Sequence, residues 1–148
     1  MISVSIANNQ DAVEVAFPIL KAAARAVLEG EGVASAKVTL AFFDDAAIHA
    51  LNKRHLGHDE PTDVLTFPYS GPKAAKLEGD IAIGASVGQR RATEDGHDVT
   101  AELALYVIHA CLHLCGYDDR SPKDTKQMRA KERFYLKACG HPDIAEPA

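Results

Sequence analysis

The stretch Thr100–Gly116, TAELALYVIHACLHLCG, anchors the reading of this chain. Leu103, Leu105, Val107, Ile108, Leu112 and Leu114 give it the strongest helical pattern in the sequence, and Gly116 ends it. Downstream, Pro122 opens a basic helix that runs to Cys139. Upstream, a polar helix spans about Ala85–Arg91 and is followed by a loop through Gly96. The segments Lys37–Phe43 (KVTLAFF), Asp63–Phe67 (DVLTF) and Asp80–Gly84 (DIAIG) are short, apolar and bounded by turn residues, which makes them strands. Ile2, Val4 and Ile6 alternate as a first strand. Asp11 is placed to cap a helix over Ala12–Leu28 stopped by Gly30 and Gly32, and Asp44-Asp45 opens a short helix with Ile48 and Leu51. Gly57–Pro61 is a turn, and residues 70–79 read as a surface loop. Four strands among five helices predict an α+β single domain with a small mixed sheet.

At 148 residues and 15.9 kDa, 47% hydrophobic, the chain has enough apolar surface for one core and needs no metal or disulfide merely to fold. Intrinsic disorder and a disulfide scaffold are excluded. No apolar run approaches the roughly 18 residues of a membrane helix, and Met1–Ile6 lacks a basic leader pattern, so a cytoplasmic protein without membrane contact is expected. Cys111, Cys115 and Cys139 are an odd count and fit reduced thiols; the first two read as small apolar side chains in the Thr100–Gly116 helix. The net charge of −5 is uneven. Arg120–Lys137 holds seven basic residues against Asp124 and Glu132, leaving −10 for the rest. Such a helix is either a solvated face or a surface for phosphates.

Chemistry concentrates in His109–Asp119, HACLHLCGYDD. Histidines at i and i+4 project from one helix face and can share one ion. A reversal through a left-handed Gly116 would bring Asp118 or Asp119 back toward them. Two imidazoles and one carboxylate leave zinc an open position, as in catalytic sites. The competing reading is a pair of core histidines with acidic residues capping a turn. A zinc peptidase of the HExxH type is disfavoured, because its general-base glutamate is replaced by Ala110. His55 and His58 are placed in a loop, His97 in a polar segment, and Thr62, Asp63 and Asp80 at strand starts. None of them is given a catalytic role.

HACLHLCGYDD resembles the HGxLHLxGYDH signature of the YbeY family. Leu51-Asn52 with Asp59–Pro68 (DEPTDVLTFP) is similar to that family's LNxxYRxxDxPTDVLSFP, and Gly79–Ile83 (GDIAI) to its GDIVI strand. With Gly140–Asp143, the resemblance spans about residues 36–143. It implies an α+β metallohydrolase domain over 1–148 and one divalent ion, expected to be zinc, held by His109, His113 and Asp119. The family usually has histidine at the third position, and an aspartate there makes the ion a weaker Lewis acid. Asp118 is the substitute ligand, or a partner that orients a histidine. The family's tyrosine and arginine fall on His55 and Leu56. Leucine cannot hold a phosphodiester, and Arg54 would replace the arginine only on a strand.

The implied activity is metal-dependent single-strand endoribonucleolytic hydrolysis in ribosomal RNA maturation and ribosome quality control. The basic helix and Arg90-Arg91 would hold the phosphate backbone. Implied partners are ribosomal RNA, the small ribosomal subunit, a ribosomal protein and an assembly GTPase. The alternative is a ribosome-assembly binding factor whose metal is mainly structural and whose turnover is small, favoured by Leu56 and Asp119.

Overall fold

In a computed structural model that describes residues 1–146, the chain forms four strands and five helices. They are β1 (Ile2–Asn9), α1 (Phe17–Gly30), β2 (Ala36–Phe43), α2 (Asp45–Leu56), β3 (Val64–Pro68), β4 (Leu77–Gly84), α3 (Ala85–Asp95), α4 (Val99–Leu114) and α5 (Pro122–Ala138). The sheet order is β1-β2-β4-β3. β1, β2 and β4 are parallel, and β3 runs antiparallel to β4 at the edge. The α+β class and the mixed four-stranded sheet are therefore as expected from sequence.

Alternation along the strands sorts the core into two sides. Val4, Val38, Leu40, Phe42, Ile81 and Ile83 face α1 and α4 in the main core. Leu65 and Ala82 face the other way and meet Ile48 of α2. Helix α4 is buried on most of its circumference, as a helix enclosed by other elements must be. It lies close to the sheet because Gly79 has no side chain: a Cβ there would sit 2.7 Å from Leu114 Cδ2.

Several boundaries differ from expectation. α1 begins at Phe17, not Ala12, and Ala16 at its N-cap makes no side-chain bond. Pro18 explains this, since a proline lacking N–H and clashing with the preceding turn belongs in the first turn of a helix. Asp11 thus caps nothing; Gln10 instead braces the segment, accepting from Val13 N at 2.9 Å. β4 starts at Leu77 within the expected loop, because β2 continues to Ala36 and pairs with it there. α3 runs on to Asp95, since nothing breaks it before the left-handed Gly96.

Glu31, in the turn after α1, ties three elements together. It accepts from Tyr117 Oη at 2.6 Å, from Lys131 Nζ at 3.2 Å and from Tyr135 Oη. Burial acts to raise its carboxyl, but the bonds from Tyr117, Tyr135 and Lys131 outweigh it and hold the pKa below the ordinary value. A depressed carboxyl contributes stability above the unfolded value of about 4.3, lost as pH falls through the folded value. Glu31→Gln is expected to cost about 1–3 kcal/mol at pH 7. In urea unfolding the difference from the unmodified chain should shrink as the pH drops below about 4.

Candidate metal centre

Helix α4 ends in a turn that its sequence dictates. Gly116 takes φ +102, Gly116 N donates to His113 O at 3.0 Å, and Tyr117 N donates to Leu112 O at 3.0 Å. This is the paired closure of a helix ended by a left-handed glycine. The chain reverses, and Asp119 returns to the histidine face. His109 Nε2 and His113 Nε2 lie 3.0 Å apart, and Asp119 Oδ2 is 3.5 Å from the first and 3.8 Å from the second. All three residues are half-buried. Asp118 points elsewhere: its Oδ1 accepts from Asp119 N at 2.8 Å and its Oδ2 lies 3.6 Å from Arg120 Nε.

The outer nitrogen of each histidine is already committed. His109 Nδ1 donates to Glu132 Oε2 at 2.6 Å, and His113 Nδ1 donates to the Tyr117 carbonyl at 2.9 Å. With both protons assigned to Nδ1 by these partners, the two Nε2 lone pairs face one another. Burial, then the neighbouring His109, pushes the His113 pKa down, which favours its neutral form. Two lone pairs and a carboxylate oxygen converging on one point repel each other unless a cation lies among them. A tetrahedral zinc with bonds of about 2.0–2.1 Å separates its donors by roughly 3.3–3.4 Å, which the three distances bracket. The donor set therefore fits a divalent ion.

Glu132 is the residue that sequence reasoning missed. Its side chain is 1% exposed, and it also accepts from Arg129 Nη1 at 2.7 and 2.9 Å. A carboxylate holding the far nitrogen of a ligand histidine fixes its tautomer and raises its basicity. The sequence alone points to Asp118 for that role. The signal was present in α5, where Glu132 interrupts the apolar spacing of Met128, Tyr135 and Leu136, all buried.

The triad borders two hollows. One, of about 580 Å³, runs between β3 and the end of α4 and is lined by His55, Leu56, Phe67, His113 and Arg120. The other, of about 380 Å³, lies behind His109 and is lined by Arg91, Tyr106, Arg129 and Glu132. The loop leading to β3 is pinned by buried Asn52, whose Nδ2 donates to Glu60 O at 2.9 Å. Asp63 braces the strand start as expected, accepting from Val64 N at 2.7 Å.

Other expectations are corrected here. His55 sits in the last turn of α2, not in a loop, because the helix continues to the left-handed Gly57. Leu56, 57% exposed, lines the hollow beside the histidines, while Arg54 lies round the helix and does not. Arg54 therefore takes no part in replacing the family's arginine. Arg90 and Arg91 are committed to Asp45 and Asp63 at 2.8 and 2.7 Å. On α5, Arg129, Lys131 and Arg133 face Glu132, Glu31 and Asp143. His58 is exposed and lines neither hollow. His97 pairs with buried Glu102, and although Asp95 lies near them the imidazole is spent on that carboxylate. Burial raises the thiols of Cys111 and Cys115, the latter to about 11, so both stay protonated and apolar in character.

The sequence matches the family described as "Endoribonuclease YbeY" over residues 5–140. The chain belongs to the YbeY family. It is 41% identical to the "Endoribonuclease YbeY" of Pelotomaculum thermopropionicum over 80% of this chain and 82% of that one. Identity to the protein of the same name from Moorella thermoacetica is also 41%, over 82% and 83% of the two chains. The solution structure of TM1509 from Thermotoga maritima superposes with a TM-score of 0.67 at 27% identity, covering 94% of this chain and 89% of that one.

Removing the Glu132 carboxylate leaves Arg129 and His109 facing an apolar void. Glu132→Ala is expected to destabilise the fold by roughly 3–5 kcal/mol, the cost of breaking a buried ion pair. Denaturant unfolding measures it, and a loss below about 1 kcal/mol would mean the carboxylate is not structurally required.

Proposed function

We propose that the protein is a metal-dependent endoribonuclease that cuts single-stranded RNA during ribosomal RNA maturation. In this reading one divalent ion, best matched by zinc, is held by His109, His113 and Asp119. The observation that carries it is the convergence of His109 Nε2, His113 Nε2 and Asp119 Oδ2, with both imidazoles turned that way by their bonds at Nδ1. Membership of a family named for endoribonucleases supports the substrate class. Among the described residues no helix is long and apolar enough to cross a membrane. We assign the protein to the cytoplasm with ribosomal RNA precursors as substrate; the small ribosomal subunit, a ribosomal protein and an assembly GTPase are its proposed partners.

An ion bound there supplies a Lewis acid for a phosphoryl oxygen and an acidified water. The chain's own residues do the rest. Glu132 and the Tyr117 carbonyl hold the two imidazoles in the tautomer that presents Nε2. Arg120 lines the larger hollow with its side chain 89% exposed, so its contact with Asp118 at 3.6 Å is a weak, solvated one that a phosphate can replace. Leu56 and the rings of His55 and Phe67 give that hollow an apolar wall, which suits sugar and base more than a second charged contact. Ala110 offers no base of the peptidase kind.

A second reading is favoured by Leu56, which brings no cation to the hollow. A ribosome-assembly factor would use the same ion to tie α4 to the following turn and would protect precursor RNA without shortening it.

Mass spectrometry on untagged protein is expected to find near-stoichiometric zinc, lost in Asp119→Ala and His113→Ala. Glu132→Gln should weaken zinc binding about 10- to 100-fold. The zinc-loaded chain should cut single-stranded RNA faster than duplex, and chelation should stop it. No retained metal after zinc is added and excess removed would overturn the site. Bound metal with RNA protected but uncut would favour the assembly-factor reading.

A further inference from the structure

The sheet face that α2 only partly covers carries a recess outside the donor triad. Phe67 and Tyr69 stand at the β3 edge, and the last turn of α2 brings His55 edge-on to Phe67 with ring centroids 4.6 Å apart. Beside them is an apolar hollow of about 320 Å³, with Ala41, Phe43 and Ala82 of the sheet at its base. Its carboxylate is Asp80. One oxygen, Oδ2, accepts from Tyr69 Oη at 2.7 Å, and no side-chain donor among the described residues takes the other. Tyr69 is 67% exposed, yet this bond holds its ring in place, so little rotamer freedom remains to be lost on contact with a ligand.

His55 and Phe67 line this hollow and also the larger one that holds His109 and His113. The two meet at these side chains, so the trough turns round the β3 edge, with the donor triad on the α4 side of the sheet and Tyr69 and Asp80 on the α2 side. An occupant that spans it needs a phosphodiester at the triad and a flat apolar group with a polar edge at Tyr69. A nucleotide strand has both.

We propose that the recess is a nucleobase subsite: an unpaired base of the RNA strand stacks on Tyr69 and Phe67 and donates its amino group to Asp80. The proposal rests on the endoribonuclease reading and extends it to selectivity. A base in a duplex is paired and stacked and cannot enter, so the subsite selects single strands. Asp80 only accepts, and cytosine and adenine offer an exocyclic amino donor where uracil offers a carbonyl.

The test is fluorescence anisotropy on the full chain with short, cleavage-resistant 2′-O-methyl oligocytidine and oligouridine, alongside cleavage of ordinary RNA. The unmodified protein should hold the cytidine strand about tenfold more tightly, the value of one charge-assisted hydrogen bond. Tyr69→Ala, checked for an unchanged melting temperature, should weaken both strands by about five- to one-hundredfold, the value of one base stack. That loss should appear mainly in KM, Tyr69→Phe should keep most of the affinity, and Asp80→Ala should erase the preference for cytidine. Equal strand affinity in Tyr69→Ala and the unmodified chain overturns the subsite while RNA cleavage leaves the nuclease reading standing. Self-association that Tyr69→Ala abolishes, with strand affinity unchanged, overturns it in favour of a second copy of the chain. No binding of either strand by the unmodified chain also overturns it. Strand binding that depends on Tyr69, without any cleavage, supports the subsite and overturns the nuclease reading instead.

Discussion

The carboxylate of Glu132 is the constraint on which the site's geometry depends. An acidic side chain inside the apolar stripe of α5 is costly unless both oxygens are met, and here Arg129 meets them from the same helix and His109 from α4. A slip of α5 against α4 by one residue would keep the Arg129 pair but break the bond to His109, so the carboxylate favours one register of the two helices. It also fixes the ring of His109. With Nδ1 donating to Glu132, Nε2 has to face the open side of α4, where His113 and Asp119 stand.

The backbone completes what that side chain begins. His113 and Tyr117 are joined through the turn at Gly116, so the bonds that end α4 also orient its last histidine. Glu31 then holds Tyr117 and Tyr135 from the far side, linking that turn to α5 and α1. The triad is thus set on packed elements and on one tightly bonded turn rather than on a free loop, which is the condition for a preformed ligand geometry. The gap at Gly79 serves the same end by letting the C-terminal end of α4 lie against β4.

How far the sequence disclosed this depends on the range of each interaction. α4, α5, β2 and β3 are governed by local periodicity and by breakers such as Gly116 and Pro122, and their boundaries fall close to those expected. The start of α1 departs from the Asp11 cap because Pro18, suited to the first turn of a helix, is the stronger constraint. The convergence of His109 and His113 follows from i, i+4 spacing, and the choice of Asp119 over Asp118 needed the family resemblance before the coordinates. Glu132 was hidden because its partner lies 23 residues away and its charge was counted as part of a basic segment. A carboxylate at an apolar position of a helix is the local sign that would have exposed it.

That basic segment changes meaning once its partners are known. Arg129, Lys131 and Arg133 face acidic groups of the fold, as do Arg90 and Arg91, so most of the apparent phosphate-binding charge is internal bookkeeping. Lys123, Lys126 and Lys137 are exposed and make no ion pair among the described residues, but of the chain's cationic side chains only Arg120 and the titratable His55 line the larger hollow beside the histidines. Asp119 adds a negative charge to the donor set, which lowers the residual charge an ion there can present to a phosphate. Counterion release scales with the number of phosphates neutralised, so a trough with so few cations gains little affinity that way. A strand held at this centre must draw on contacts that do not depend on charge, and the apolar wall of Leu56, His55 and Phe67 is the surface the trough offers for them.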